Sequence, residues 1–96
     1  MVQPMKIRSL KYQSPGPRQI QHWKNELGYS NREMAALNNV VETHWRRHTG
    51  GTEPRPLSYT KLFHAAAMLE LTPEEVERIH QRMRDIGAKV EMEFVK

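Results

Sequence analysis

Four side chains near the middle of this 96-residue chain, Glu42, Thr43, Arg46 and Arg47, have the types and spacing to meet the edges of base pairs. Arg can bond guanine O6 and N7 together, Thr can pack on a thymine methyl, and Glu can accept from cytosine N4. If residues 41–49 form a helix with Trp45 turned to the core, these four project away from it. An Arg pair on a short helix is also what an ordinary solvated face carries. The residues alone leave both readings open, and the surrounding elements must choose.

Other constellations carry less. His44 and His48 stand at i, i+4, a spacing that places two imidazoles on one metal. No third ligand lies near them in sequence, so phosphate or core contact accounts for them better. Glu74, Glu75 and Glu77 resemble paired catalytic carboxylates only superficially. They fall in the first turn of a helix, where acids complement the dipole. Ser14, Ser30 and Ser58 have no nucleophile context, and the aromatics are too scattered for a single-strand stacking platform. No catalytic residue, metal, cofactor or small-molecule substrate is expected, and the chain does not read as an enzyme.

Composition narrows the classes. The length suits one domain of small stability surplus. There is no cysteine, which excludes disulfides and thiolate metal sites and fits a reducing compartment. No apolar run reaches the roughly 18 residues of a membrane span. Residues 1–12 are too polar for a signal peptide, so a cytoplasmic protein is expected. The net charge of +4 is uneven: residues 1–56 hold nine Lys/Arg against four acids, and residues 57–96 hold six against seven. A basic half beside a neutral one suggests a face aimed at a polyanion.

The pattern predicts a mainly α chain of five helices with a short C-terminal strand. Residues 1–16 read as an arm, with strand-like character over residues 6–12. Ser14-Pro15-Gly16-Pro17 breaks the chain, and Pro17 suits a first helical turn. Ile20, Trp23 and Leu27 line one face of the first helix, which Gly28 caps. Ser30 and Glu33 form a capping box that opens a second helix through about residue 38. Met34, Ala35 and Leu37 face inward there, and Asn38-Asn39 makes the turn. A third helix spans residues 41–49, stops at Gly50-Gly51, and has Trp45 as its buried anchor. Ser58 caps a fourth helix with Leu62, Phe63, Ala66 and Leu69 as its apolar stripe. Thr72-Pro73-Glu74-Glu75 starts a fifth, with Val76, Ile79, Met83 and Ile86 on one side and Gly87 at its end. Residues 88–96 then alternate, with Val90, Met92 and Phe94 on one face and only Val95 out of pattern. The divisions are an arm at 1–16, a core at 17–71 and a C-terminal helix and strand at 72–96.

Two short helices joined by a tight turn, packed on a preceding helix, follow the helix-turn-helix plan. The first helix of the pair crosses the DNA backbone, and the second enters the major groove. Residues 27–76 resemble the Xre/Cro-type helix-turn-helix family, whose Gly-x-Ser-x-x-x-x-Ala pattern and later Gly are matched by Gly28, Ser30, Ala35 and Gly51. Within it, Ser30-Asn31-Arg32 and Arg55-Pro56-Leu57-Ser58-Tyr59-Thr60 with Phe63 are similar to segments of phage anti-CRISPR-associated regulators. Asn38-Asn39 departs from that family's apolar-Gly turn, and the fifth helix and strand extend beyond its core.

The resemblance implies a dimeric autorepressor of a phage or mobile-element operon. It implies base reading by Thr43, Arg46 and their neighbours Glu42 and Arg47, and backbone contact by Arg32 and Tyr59. Ser30, Asn31, His44, Arg55 and Lys61 are expected to join the backbone contacts. The expected partners are an inverted-repeat operator in double-stranded DNA and a second copy of the chain. Val76, Ile79, Met83, Ile86, Val90, Met92 and Phe94 are the expected dimer interface. The rival reading is a protein-interaction module, an antitoxin or anti-CRISPR inhibitor built on the same fold.

Overall fold

Proline, glycine and small polar caps punctuate the chain where its helices begin and end. The computed structural model describes residues 5–94 and holds five helices among them. They are α1 (Pro17–Leu27), α2 (Asn31–Leu37), α3 (Glu42–Thr49), α4 (Tyr59–Glu70) and α5 (Pro73–Ile86). Pro17 opens α1, where its missing N–H is no loss, and Gly28 closes it in the left-handed region at φ 70°. Ser58 caps α4 by accepting from the Lys61 amide. Thr72 and Glu75 form a reciprocal box at the start of α5, at 3.1 and 2.8 Å.

The core forms where α1, α2 and α3 converge. Ile20, Met34, Ala35, Trp45 and Leu57 are its buried members, with Trp23, Leu27, Tyr29, Leu37, Val40 and Leu62 packed around them. Trp45 is fully buried and meets Trp23 edge-on, with ring centroids 6.5 Å apart. Its indole N–H donates to Asn31 Oδ1 at 3.1 Å, so the one polar atom of the ring is satisfied. Two imidazoles tie elements together. His64 Nδ1 donates to Leu37 O at 2.8 Å, joining α4 to the end of α2. His48 Nδ1 donates to Arg55 O at 2.8 Å, holding the following loop against α3. A carbonyl only accepts, so both rings carry their proton on Nδ1.

Three expectations change. On α4 the buried position is Ala65, whereas Phe63, Ala66 and Leu69 are exposed and Leu62 is half-buried. The small Ala65 side chain lets α4 lie close, and the helix is rotated so that the apolar stripe sits at the edge of the contact. On α5, Val76 turns into the fold and is therefore not available to a partner, while Ile79, Met83 and Ile86 remain exposed. Finally, no strand forms among the described residues: 6–12 and 88–94 run without a ladder. A strand needs another backbone to pair with. Within one chain, the Val90 carbonyl instead accepts from Arg84 Nη2 at 3.0 Å. Val95 and Lys96, the end of that expected strand, lie outside the described residues.

The chain is more extended than a core of this length requires. Its radius of gyration is 15.2 Å, against about 13 Å for a compact domain of 100 residues. Residues 5–13 ahead of α1 are exposed, and α5 buries only Val76 and His80. No helix among the described residues is long and apolar enough to cross a membrane.

Trp45 anchors this arrangement, so Trp45→Ala is expected to lower unfolding stability by about 3–5 kcal/mol, read from the urea midpoint. Trp45→Phe retains much of the packing but loses the hydrogen bond to Asn31, and should lie between wild type and Trp45→Ala. An unchanged midpoint in the Ala variant would contradict the anchoring role.

Candidate nucleic-acid interface

The site is built from α2, the turn after it, and α3. Ser30 and Glu33 cap α2 reciprocally: Ser30 Oγ accepts from the Glu33 amide at 3.1 Å, and the Ser30 amide donates to Glu33 Oε1 at 2.8 Å. The turn needs one left-handed residue, and Asn39 takes it at φ 56°. Asn tolerates that region better than other side chains, which is how this chain forms the turn without glycine. Asn38 is fully buried, and its Nδ2 donates to Met34 O at 2.9 Å. Its Oδ1 is buried without a partner. Val40 then bonds back to Ala35 O at 2.9 Å, and α3 begins at once.

Trp45 and His48 fix how α3 is turned. Both are buried, with centroids 6.2 Å apart, so the opposite face is left to solvent. That face carries Thr43, His44, Arg46 and Arg47, all exposed, with Glu42 half-buried at its edge. Glu42 and Arg46 pair across one helical turn at 3.2 Å. The pair is exposed, so it adds only about 0.2–0.5 kcal/mol and opens readily. Arg47 has no ion pair among the described residues. Arg46, Arg47 and His48 occupy the last turn, Glu42 the first, in agreement with the helix dipole.

A shallow depression of about 470 Å³ lies beside this face, lined by Gln21, Lys24, Asn31, Arg46, Arg47, Thr49, Gly50 and Gly51. Gln21 and Lys24 come from α1 and were not singled out from sequence. Their signal was faint: an i, i+3 polar pair on the flank of a helix whose apolar face points elsewhere. The depression adds a third cation to the two arginines.

The expected backbone contacts divide. Arg32 on α2 and His44 on α3 are exposed. Ser30 and Asn31 lie at the start of α2, but both have structural work: one caps the helix, the other accepts from Trp45. Arg55 is held through its main chain, its amide donating to Arg47 O at 2.9 Å, with its side chain exposed. Tyr59 is engaged with aromatic neighbours, 5.6 Å from Tyr12 on one side and 5.6 Å from Phe63 on the other. Lys61 is half-buried in the first turn of α4. Of the expected dimer residues, Ile79, Met83 and Ile86 are exposed along α5, with Met92 and Phe94 exposed and Val90 half-buried after it. His44 and His48 do not converge on a metal, since His48 is turned inward to Arg55 O and His44 outward.

No family model matches the chain, and neither does any curated protein or solved structure.

The α2 cap has a pH signature. Hydrogen bonds from the Ser30 amide and hydroxyl hold the Glu33 carboxyl below the usual glutamate range. Its contribution is therefore complete above that range and is lost as pH falls through the lowered folded value. Glu33→Gln keeps an acceptor for the Ser30 amide but does not titrate. The difference in Tm between wild type and Glu33→Gln should shrink between about pH 6 and about pH 3, a span that brackets glutamate titration. A constant difference would show that the charge contributes nothing to the cap.

Proposed function

We propose that this protein is a sequence-specific, double-stranded DNA-binding transcriptional regulator of helix-turn-helix type, with α3 as its recognition helix. One observation carries the reading: α3 follows α2 through a tight turn and is anchored by Trp45, so that Thr43, Arg46 and Arg47 stand together on its solvent face. In this role α2 crosses the phosphate backbone, and α3 enters the major groove. Arg47 is the readier guanine contact, because Arg46 must first leave Glu42. Lys24, which lines the same depression as Arg46 and Arg47, and the exposed Arg32 of α2 suit phosphates.

A single eight-residue helix reads too few base pairs for useful specificity in a genome. We therefore propose a two-fold dimer on an inverted repeat. Its interface would use the exposed Ile79, Met83 and Ile86 of α5, together with Met92 and Phe94. Pairing of residues 88–94 with the same segment of a second subunit would supply the strand partner that one chain lacks. Autorepression of a phage or mobile-element operon is supported only by the sequence resemblance.

One observation favours the protein-interaction alternative. An apolar groove of about 450 Å³ between α1 and α4 is lined by Ile20, Trp23, Leu62, Ala66 and Leu69. Retention on random duplex DNA at low and high salt separates the two readings. DNA binding falls steeply with salt as counterions are released, whereas a protein-only binder is retained in neither buffer.

Two experiments follow from the placement of residues. After selection of a binding site from a random duplex pool, Arg47→Ala and Arg46→Ala should each weaken binding, by about 1–3 kcal/mol for whichever reads a guanine. That variant should also lose preference at one position of the site. Wild-type affinity in both would remove α3 from the groove. For the dimer, Ile79→Glu combined with Ile86→Glu should give a monomer in sedimentation with unchanged helical circular dichroism. Both positions are exposed in the single chain, so a dimer that persists would place the interface elsewhere.

A further inference from the structure

We infer that residues 5–12 form a second duplex-DNA contact, an arm that carries Lys6, Arg8 and Lys11 over the phosphates to the minor groove beside the site of α3. The inference rests on the DNA-binding reading above and adds a separate element to it.

The arm is unpacked. Met5 is 93% exposed, Ile7 84% and Leu10 56%, and residues 5–11 form neither helix nor strand. Lys6, Arg8 and Lys11 have no ion pair among the described residues. The first acid in the chain is Glu26, so nothing nearby in sequence offsets these charges. Lys6 and Arg8 stand two residues apart, which aligns them on one side of an extended segment and leaves Met5 and Ile7 on the other. Cations with interleaved apolar side chains suit the minor groove, where the former meet phosphates and base edges and the latter pack on the groove.

The arm is also anchored at one end, and in the right place. The Tyr12 hydroxyl donates to Leu57 O, and the Leu57 amide donates to Ser14 Oγ at 2.9 Å. The loop holding Leu57 is in turn fastened to α3 through Arg55, whose amide bonds Arg47 O at 2.9 Å and whose carbonyl accepts from His48. The arm thus leaves the fold from the same loop that is tied to Arg47. Seven extended residues, 5–11, reach about 23 Å. The adjacent minor groove lies about half a helical repeat, roughly 17 Å, from the major groove read by α3. A second copy of the chain is the poorer occupant, because residues 57–96 carry six basic and seven acidic residues and offer little net charge to three cations.

The test compares wild type, the triple variant Lys6→Ala, Arg8→Ala, Lys11→Ala, and Arg47→Ala, by anisotropy on random duplex DNA over a series of salt concentrations. Netropsin, a minor-groove ligand, serves as competitor. The triple variant should keep the helical circular dichroism of wild type, since its three positions are exposed. Its slope of log K against log salt should fall by about 2–3, one contact per cation removed. Netropsin should weaken wild type and leave the triple variant unaffected. If wild type and Arg47→Ala behave as expected of a DNA-binding α3 but the triple variant keeps its slope and its netropsin sensitivity, the arm inference alone is overturned. A change of oligomeric state in the triple variant with an unaltered slope would assign the arm to a second copy and overturn it too. If wild type binds no duplex at any salt, the DNA reading fails and the arm falls with it.

Discussion

The burial of Trp45 is the constraint on which the rest of the structure depends. The ring lies among α1, α2 and α3, edge-on to Trp23, and its one polar atom is held by Asn31. A single side chain thereby joins all three helices of the core. A large aromatic suits this role in a small domain, because it brings much apolar area to a core with few other members. The hydrogen bond to Asn31 adds direction to that burial. It ties the start of α2 to the middle of α3, so the angle between the two helices and the rotation of α3 about its axis are set together.

That rotation produces the electrostatic face. A helix with Trp45 and His48 inside must present Thr43, Arg46 and Arg47 outside, because the helical period leaves no other direction. Structural and candidate functional roles are thus opposite sides of the same eight residues. The division extends to the neighbours. Ser30 and Asn31, near enough to join a polyanion, are already engaged in capping and in holding Trp45. Lys24, contributed by α1, joins the arginines only because α1 packs across α3.

Outside this core the chain is thinly tied down. α5 buries two residues and leaves Ile79, Met83 and Ile86 to solvent, and the arm before Tyr12 packs on nothing. Both extensions have sharp attachment points: the Thr72 and Glu75 box for α5, and the Tyr12 and Ser14 bonds to Leu57 for the arm. Contiguous exposed apolar side chains such as those of α5 mark a contact surface, whereas the cations of the arm are solvated and free to meet a polyanion. A DNA duplex for the arm and a second copy for α5 are the occupants that the proposals above assign.

Local chemistry carried most of the fold to the level of sequence. The helix boundaries were legible because caps act within four residues: Ser30 with Glu33, Thr72 with Glu75, Gly28 after Leu27. Burial of Ile20, Met34, Ala35 and Trp45 was legible for a similar reason, since apolar spacing marks a face. What sequence could not determine was which of several apolar faces would be covered. On α4 the covered side runs through Ala65 rather than through Phe63 and Ala66, and on α5 only Val76 and His80 turn inward. Those outcomes depend on how far apart two helices can approach, which is a property of the pair and not of either segment. The same holds for the strand pattern in residues 88–94: alternation prepares a segment to pair, but its carbonyl bonded Arg84 where no second backbone was at hand. Lys24 joining the arginines and Asn31 holding Trp45 were decided in the same way, by contacts between residues far apart along the chain that only the packed helices bring together.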